Sequence, residues 1–108
     1  MRKSIRKSRE PMPRHKTLGK FIKRKVVFTV KTSVGSTVYL AGSFNGWSET
    51  AKQMADKNGD GCFSCICYLI PGRYEYKFII NGIWIMDTEN PNFVANDKDS
   101  MNSVLVVE

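Results

Sequence analysis

The sequence predicts an all-β fold, in which an antiparallel β-sandwich of two sheets follows a basic, disordered N-terminal tail. After residue 23, apolar and polar residues alternate in several short stretches, and turn-forming residues separate these stretches. No helical period of apolar residues persists anywhere in the chain. Many short strands at this spacing are typical of β-sandwiches, and 108 residues suit a single domain.

The alternation of apolar residues predicts six strands. The first, at 25–32, places Val26, Phe28 and Val30 on one face. The others are expected at 36–41, 62–69, 73–80, 83–86 and 103–107. Glycine, proline and asparagine mark turns between them at 34–36, 58–61, 71–72 and 81–82.

The basic charge of the chain is concentrated at its start. Eleven of the 17 lysines and arginines lie in residues 1–25, together with a single acid, Glu10, and the remaining residues are mildly acidic. Residues 1–22 contain too few apolar side chains to offset their ordering entropy, so we expect a disordered tail there and a folded module at 23–108. The tail is interpreted as a solubilising segment. The alternative is a contact arm for nucleic acid, anionic lipid or an acidic partner.

Several function classes lack support in the sequence. No apolar stretch approaches the roughly 20 residues that cross a bilayer, and no apolar stretch follows the charged N-terminus as in a secretory signal. We therefore expect a cytoplasmic location. No two carboxylates are placed opposite each other by the pattern, as glycoside hydrolysis requires, and His15 has no credible nucleophile partner. We expect neither an enzyme nor a cofactor.

Two patterns resemble metal sites but have simpler interpretations. Cys62, Cys65 and Cys67 are odd in number and lack a fourth zinc ligand, so we expect small buried side chains on a strand, with Cys65 and Cys67 on the same face. The stretch 56–61 resembles the start of a calcium loop. The twelfth position from Asp56 is Cys67 where a glutamate is needed, so we expect a hairpin turn instead.

Asn81-Gly82 between two apolar stretches predicts a two-residue type I′ hairpin turn. That turn sets the register, and it places Ile79 opposite Trp84. The expected pairs are Ile80 with Ile83, Ile79 with Trp84, Phe78 with Ile85 and Lys77 with Met86. One face then carries only large apolar side chains and should be core, namely Tyr74, Tyr76, Phe78, Ile80, Ile83 and Ile85. The outer face combines Lys77 and Ile79 with Trp84 and Met86.

The second tryptophan, Trp47, lies in a glycine-containing loop directly after the strand at 36–41. Phe44 is expected to close the core where this strand ends, and the turn at Asn45-Gly46 then presents Trp47 at the surface. Either indole alone is explained by packing against the sheet. Two indoles in one small sandwich, with Lys77 near Trp84, instead suggest a binding site.

The chemistry of these side chains suits a sugar. A pyranose ring has an apolar face of C–H bonds, which stacks on an indole, and a rim of hydroxyl groups, which hydrogen-bond to lysine and asparagine. Two indoles at an angle suit a curved ligand such as α-1,4-glucan. We expect both indoles and the Lys77 ammonium group to be exposed on one shared patch.

Several motifs occur in an order and spacing similar to those of family-48 carbohydrate-binding modules. The stretches that carry the resemblance are 38–47, 71–78, 81–84, Asp87, Asn90-Pro91 and 102–107. This family includes the glycogen-binding domain of AMP-activated protein kinase β subunits and the early-set domains of isoamylases and glycogen-branching enzymes. The resemblance covers about residues 24–108. It implies an immunoglobulin-like, early-set β-sandwich that binds α-glucan without cleaving it.

The resemblance also implies a set of site residues. Trp47 and Trp84 match the family's stacking tryptophans, and Lys77 matches its sugar-bonding lysine. Asn102 matches the sugar-bonding asparagine near the last strand, and Ser100 lies where a threonine hydroxyl can contribute. The chain departs from the family at Lys98, where kinase-type members have a leucine that inserts into the curved glucan.

The expected partners are α-glucan polysaccharide or malto-oligosaccharide and a glycogen-metabolising enzyme that the module targets or supports. The alternative function is a protein-interaction module of the early-set type. Such a module docks to a partner enzyme or kinase subunit without glucan affinity of its own, with the same tryptophans as interface anchors.

Overall fold

The computed structural model of the protein describes residues 21–108. The basic tail expected at 1–22 lies outside the described residues except for its last two positions, Phe21 and Ile22, which are exposed. Within the described part of the chain, no helix has the length and apolar character that would let it cross a membrane.

The described residues form eight β-strands and one 3₁₀ turn. The strands are β1 (Arg24–Lys31), β2 (Val38–Gly42), β3 (Gln53–Met54), β4 (Cys62–Leu69), β5 (Gly72–Ile80), β6 (Ile83–Ile85), β7 (Phe93–Ala95) and β8 (Met101–Val107). The 3₁₀ turn spans Ser43–Asn45. All six expected strands are present, and the expected bounds of 62–69 agree with β4 at both ends. The short strands β3 and β7 were not expected.

The strands form two antiparallel sheets of unequal size. In the smaller sheet, β1 pairs with β4 along its whole length. In the larger sheet, the order is β3-β2-β5-β8-β7, and β6 pairs with β5. Residues 72–76 of β5 pair with β8, and residues 78–80 pair with β6 on the same side. The predicted all-β antiparallel sandwich is confirmed.

The core lies between the two sheets and is built from their inward-facing apolar side chains. Its buried members are Phe28, Val38, Leu40, Met54, Phe63, Tyr76, Phe78 and Ile80. Val26 and Val30 pack against this cluster beside Phe28, as the predicted face of β1 requires. Cys65 and Cys67 also pack against it, on the shared face that the sequence predicts, whereas Cys62 is exposed. Burial raises the pKa of the Cys65 thiol to about 12.

The prediction that Ile83 and Ile85 belong to the core is wrong. They lie on the expected face, because Ile80 pairs with Ile83 and Phe78 pairs with Ile85. Yet Ile83 is 64% exposed and Ile85 37% exposed. The smaller sheet has two strands against six, so it cannot cover every strand of the larger sheet. The inner face of β6 is left open to solvent.

A partly buried polar cluster attaches the segment after β6 to the sheet. The Tyr76 hydroxyl donates to Asp87 Oδ2 (2.7 Å) and accepts from Asn90 Nδ2 (3.1 Å). The Asp87 N–H donates to Ser103 Oγ (2.9 Å), and Asn90 Nδ2 also donates to the carbonyl of Val104 (2.9 Å). Burial and the hydrogen bond to Asp87 raise the pKa of the Tyr76 phenol. These contacts give Asp87 and Asn90 a structural role.

The stretch 56–61 is a turn, as predicted, and it joins β3 to β4. The Asp56 carboxylate accepts the backbone N–H groups of Asp60 (3.1 Å) and Gly61 (2.8 Å). These hydrogen bonds lower the pKa of Asp56, the one from Gly61 most strongly. The carboxylate therefore serves to close the turn.

Candidate functional site

The turn that carries Trp47 is held by the side chain of Asn45. Asn45 Oδ1 accepts the N–H of Gly42 (3.1 Å), and its Nδ2 donates to the carbonyl of Leu40 (3.1 Å). Gly46 and Trp47 then adopt left-handed backbone conformations, with φ of 65° and 59°. Such a conformation suits glycine but is strained for a bulky residue. The hydrogen bond from Trp47 N–H to the carbonyl of Gly42 (2.9 Å) holds the backbone of Trp47 at the end of β2.

The preceding residue, Phe44, closes the core, as the sequence predicts. Its ring packs against the core cluster and lies 5.7 Å from the ring of Phe28 and 6.1 Å from that of Tyr74, centroid to centroid. Because Phe44 is anchored inward, the turn that follows it projects Trp47 outward.

Trp84 reaches the outer face of the larger sheet through the predicted hairpin. Asn81 and Gly82 have φ of 51° and 83°, which are the positive values of a type I′ turn. The register places Trp84 opposite Ile79, as predicted. Asn81 also attaches the hairpin to the loop before β2, since its N–H donates to the Thr37 carbonyl (2.8 Å) and its Oδ1 accepts the Thr37 N–H (2.9 Å).

The two indoles lie side by side on the same surface. Their ring centroids are 6.5 Å apart and their planes are inclined by 41°. Trp84 is 39% exposed and Trp47 is half-buried, so each offers part of its ring to solvent. The expectation that both indoles are open on one patch agrees with this geometry.

Lys77 differs from the expectation of an exposed ammonium group. The residue is only 8% exposed, on the central strand β5, opposite Ala41 of β2. Lys77 Nζ donates to Ser100 Oγ at 2.5 Å. No carboxylate of the described residues forms an ion pair with this ammonium group. It lies deeper than expected because the loop between β7 and β8 packs over it through Ser100.

Asn102 lies on the same outer face, near the start of β8, and is 7% exposed. Its Nδ2 donates to Glu75 Oε1 (2.9 Å), and its Oδ1 accepts from Asn96 Nδ2 (3.1 Å). Glu75 Oε2 accepts from the guanidinium of Arg73 (2.9 Å). The hydrogen bond from Asn102, followed by that from Arg73, lowers the pKa of the Glu75 carboxyl. Glu75 is therefore a carboxylate at neutral pH.

These residues surround an open cavity of about 710 Å³ on the outer face of the larger sheet. All five site residues expected from the sequence line it, namely Trp47, Lys77, Trp84, Ser100 and Asn102. The other lining residues are Glu49, Glu75, Asn96, Asp97 and Lys98. Of this second group, only Lys98 is a position that the sequence relates to the site. Strand alternation could have identified Glu75, because it lies two residues before Lys77 on the same face. No local pattern identifies Asn96.

A family described as the glycogen recognition site of AMP-activated protein kinase matches residues 25–108. The chain belongs to this family. The match agrees with the resemblance inferred from the motifs, and it covers every strand of the glycogen-recognition fold from β2 to β8 together with nearly all of β1.

Several known proteins contain a region similar to this chain. The protein FLOURY ENDOSPERM 6, chloroplastic, of Oryza sativa subsp. japonica is 38% identical over 82 residues, which are 76% of this chain and 15% of the relative. PTST homolog 2, chloroplastic, of Arabidopsis thaliana is 39% identical over 72 residues, which are 67% of this chain and 13% of the relative. The 5′-AMP-activated protein kinase subunit beta-1 of Sus scrofa is 34% identical over 77 residues, which are 71% of this chain and 59% of the relative. The chain thus spans less than two thirds of each relative.

Proposed function

We propose that the protein binds α-1,4-glucan, such as glycogen or starch, in the cavity on the outer face of the larger sheet, and that it does not cleave it. The observation that carries the proposal is the inclined pair of partly exposed indoles, Trp47 and Trp84, beside an ammonium group and an amide in a member of a glycogen-recognition family. Each indole stacks on the apolar face of one glucosyl unit, and the angle of 41° between them follows the bend of the glucan chain.

The buried polar groups supply the hydrogen bonds to sugar hydroxyls. An ammonium group has three N–H donors, and Ser100 takes one of those on Lys77. The other two have no hydrogen-bond partner among the described residues, and Lys77 lines the cavity, so they can bind hydroxyl oxygens. Asn102 adds one further donor and one acceptor, and Ser100 Oγ adds acceptor capacity.

The state of the Glu75 carboxylate supports binding without catalysis by this residue. A glycosidase requires a carboxylic acid with a raised pKa that protonates the leaving group. Glu75 has the opposite property, because hydrogen bonds from Asn102 and Arg73 lower its pKa. Each of its two oxygens accepts a hydrogen bond from a protein partner.

Affinity electrophoresis in gels that contain glycogen or amylopectin tests the proposal. The wild-type protein should be retarded, with a Kd on the order of 10 µM to 1 mM, because a shallow open site buries little of its ligand. Trp84→Ala should lose retardation by roughly tenfold or more, since one stacking platform is removed. Tyr68→Ala is the matched control, because Tyr68 is an exposed aromatic residue on β4 of the other sheet.

Circular dichroism and thermal melts establish that each variant is folded. Unretarded migration of the folded wild-type protein at high polysaccharide content would refute glucan binding. Equal loss of retardation in Tyr68→Ala and Trp84→Ala would refute the location of the site.

A protein-interaction module that docks to a partner enzyme or kinase subunit is the second candidate function. It is favoured by exposed apolar residues on the outer face of the smaller sheet, where Val27 pairs with Ile66 and Tyr68 lies nearby on β4. The two functions are compatible if the module brings a glycogen-metabolising enzyme to its substrate. Affinity capture from an amylase-treated lysate separates them. A specific partner recovered without glucan, combined with absent glycogen retardation, would favour docking alone.

We also propose a cytoplasmic location. Two relatives are chloroplastic by name, and the kinase relative is not. Microscopy of a fluorescent fusion distinguishes the two compartments, and accumulation inside plastids would overturn the cytoplasmic proposal.

A further inference from the structure

We propose that Glu75 is a positioning residue of the glucan site, whose carboxylate sets the orientation of the Asn102 amide before a sugar arrives. This inference rests on the proposed function. Glu75 has no assigned role in the expected site, yet it lines the cavity and bonds directly to Asn102.

The side chains around Asn102 form a directional chain of hydrogen bonds. At one end, Asn96 Oδ1 accepts the backbone N–H groups of Lys98 (2.9 Å) and Ser100 (3.1 Å). A backbone N–H can only donate, so the Asn96 oxygen must face the loop and its Nδ2 must face Asn102. Asn96 Nδ2 then donates to Asn102 Oδ1, and Asn102 Nδ2 donates to Glu75 Oε1.

Glu75 completes the chain because a carboxylate can only accept. A flipped Asn102 amide would place its oxygen against the Glu75 carboxylate and its NH₂ group against the Asn96 NH₂ group. Both contacts would be mismatched, and an unmatched polar group in a 7% exposed residue is costly. The two neighbours together therefore select one of the two amide orientations.

The selected orientation leaves groups free for the ligand. The Asn102 NH₂ group has two hydrogens and donates one of them to Glu75. The Asn102 oxygen can accept two hydrogen bonds and accepts one from Asn96. One donor and one acceptor remain in fixed positions on a nearly buried side chain. A sugar hydroxyl, which is both donor and acceptor, can therefore bind this donor and acceptor without the entropic cost of ordering the amide.

The charge of Glu75 strengthens this arrangement, because hydrogen bonds to an ionised acceptor are stronger than neutral ones. Arg73 contacts the other carboxylate oxygen from the same strand, and it lowers the pKa of Glu75 less than the hydrogen bond from Asn102 does. The other charged side chains that line the cavity are Lys77 on β5, Glu49 after β2, and Asp97 and Lys98 between β7 and β8.

A double-mutant cycle between Glu75 and Asn102 tests the inference. Titration of the full chain with maltoheptaose, followed at the indole N–H resonances, gives Kd for the wild type, Glu75→Met, Asn102→Ala and the double variant. Glu75→Met keeps the length of the side chain but removes the acceptor, and it should weaken binding roughly three- to tenfold. In the Asn102→Ala background, the same substitution should change Kd by less than about twofold.

Two further variants separate positioning from general structure. Glu75→Gln restores one acceptor oxygen, which can face Asn102 because the exposed Arg73 side chain can turn to solvent, and it should recover most of the affinity lost in Glu75→Met. Arg73→Met leaves the contact between Glu75 and Asn102 intact and should change Kd by less than about twofold. Equal losses for Glu75→Met in both backgrounds, or no recovery in Glu75→Gln, would overturn the inference.

A measurement on the wild type alone covers the case in which Glu75→Met does not fold. The Asn102 side-chain amide resonances should shift as the pH falls through the pKa of Glu75, below its ordinary value of 4.5. Chemical shifts of the Asn102 amide that stay constant through this titration would overturn the inference. Absence of maltoheptaose binding to the folded wild type would instead refute the proposed function, so the two failures are distinguishable.

Discussion

Lys77 holds an ammonium group in a residue that is only 8% exposed. Removing a charge from water is costly unless an opposite charge and hydrogen bonds compensate. In the described part of the chain, Lys77 has the hydroxyl of Ser100 but no carboxylate in an ion pair. Its conformation is therefore poorly explained by stability. The proposed glucan would explain it, because sugar hydroxyl groups would accept the remaining N–H donors of the ammonium group.

We therefore expect Lys77→Met to separate stability from binding. Methionine has a similar length and no charge, so the free energy of unfolding should stay unchanged or rise by about 1 kcal/mol, while glycogen retardation falls by roughly tenfold or more. Urea unfolding and affinity electrophoresis measure the two effects.

Lys31→Met is the control for Lys77→Met, because Lys31 is an exposed lysine at the end of β1. It should change stability by less than about 0.5 kcal/mol and leave retardation intact. A marked destabilisation of Lys77→Met would show that the ammonium group serves the fold.

At the scale of single elements, the site depends on two turns that each project one indole. The hairpin turn was predictable because Asn81-Gly82 specifies the type I′ geometry locally, and the register and the face of Trp84 follow from it. The turn before Trp47 was predictable only as a turn. Its left-handed residues depend on the contacts that the Asn45 side chain makes back to β2. Strands β3 and β7 were not predictable, because two or three residues are too few to show a period.

A pair of glycine substitutions isolates the role of the Trp47 turn. Gly46 and Gly35 both have positive φ, and a Cβ at either would meet open space. Alanine at each position should therefore cost a similar amount, about 1 kcal/mol of stability, through backbone strain alone. Only Gly46→Ala should weaken glucan binding, because only Gly46 directs the chain into Trp47. Thermal unfolding and maltoheptaose titration measure the two effects, and equal binding by both variants would argue against a preset indole.

At the scale of the molecule, the two sheets have different roles. The smaller sheet covers the core on one side, and the outer face of the larger sheet carries the cavity. Alternation showed which residues share a face, but it could not show how many strands oppose that face. For this reason Ile83 and Ile85 were expected in the core and are exposed. The burial of Lys77 could not be predicted for a related reason, because this burial depends on the loop that carries Ser100, which is distant in sequence.

The distribution of charge predicts different salt dependences for glucan binding by the folded module and for binding of an anionic partner by the basic N-terminal segment. The first 25 residues carry eleven basic side chains against one acid, whereas the rest of the chain is mildly acidic and the proposed glucan ligand is neutral. Glycogen retardation of the full chain should therefore stay constant within about twofold between about 50 and about 500 mM salt. Any binding of DNA should fall steeply over the same range and disappear when residues 1–20, which precede the described fold, are deleted. Glycogen retardation that falls with salt, or that is lost with those residues, would mean that the polysaccharide is held by the basic segment and not by the indoles on the sheet.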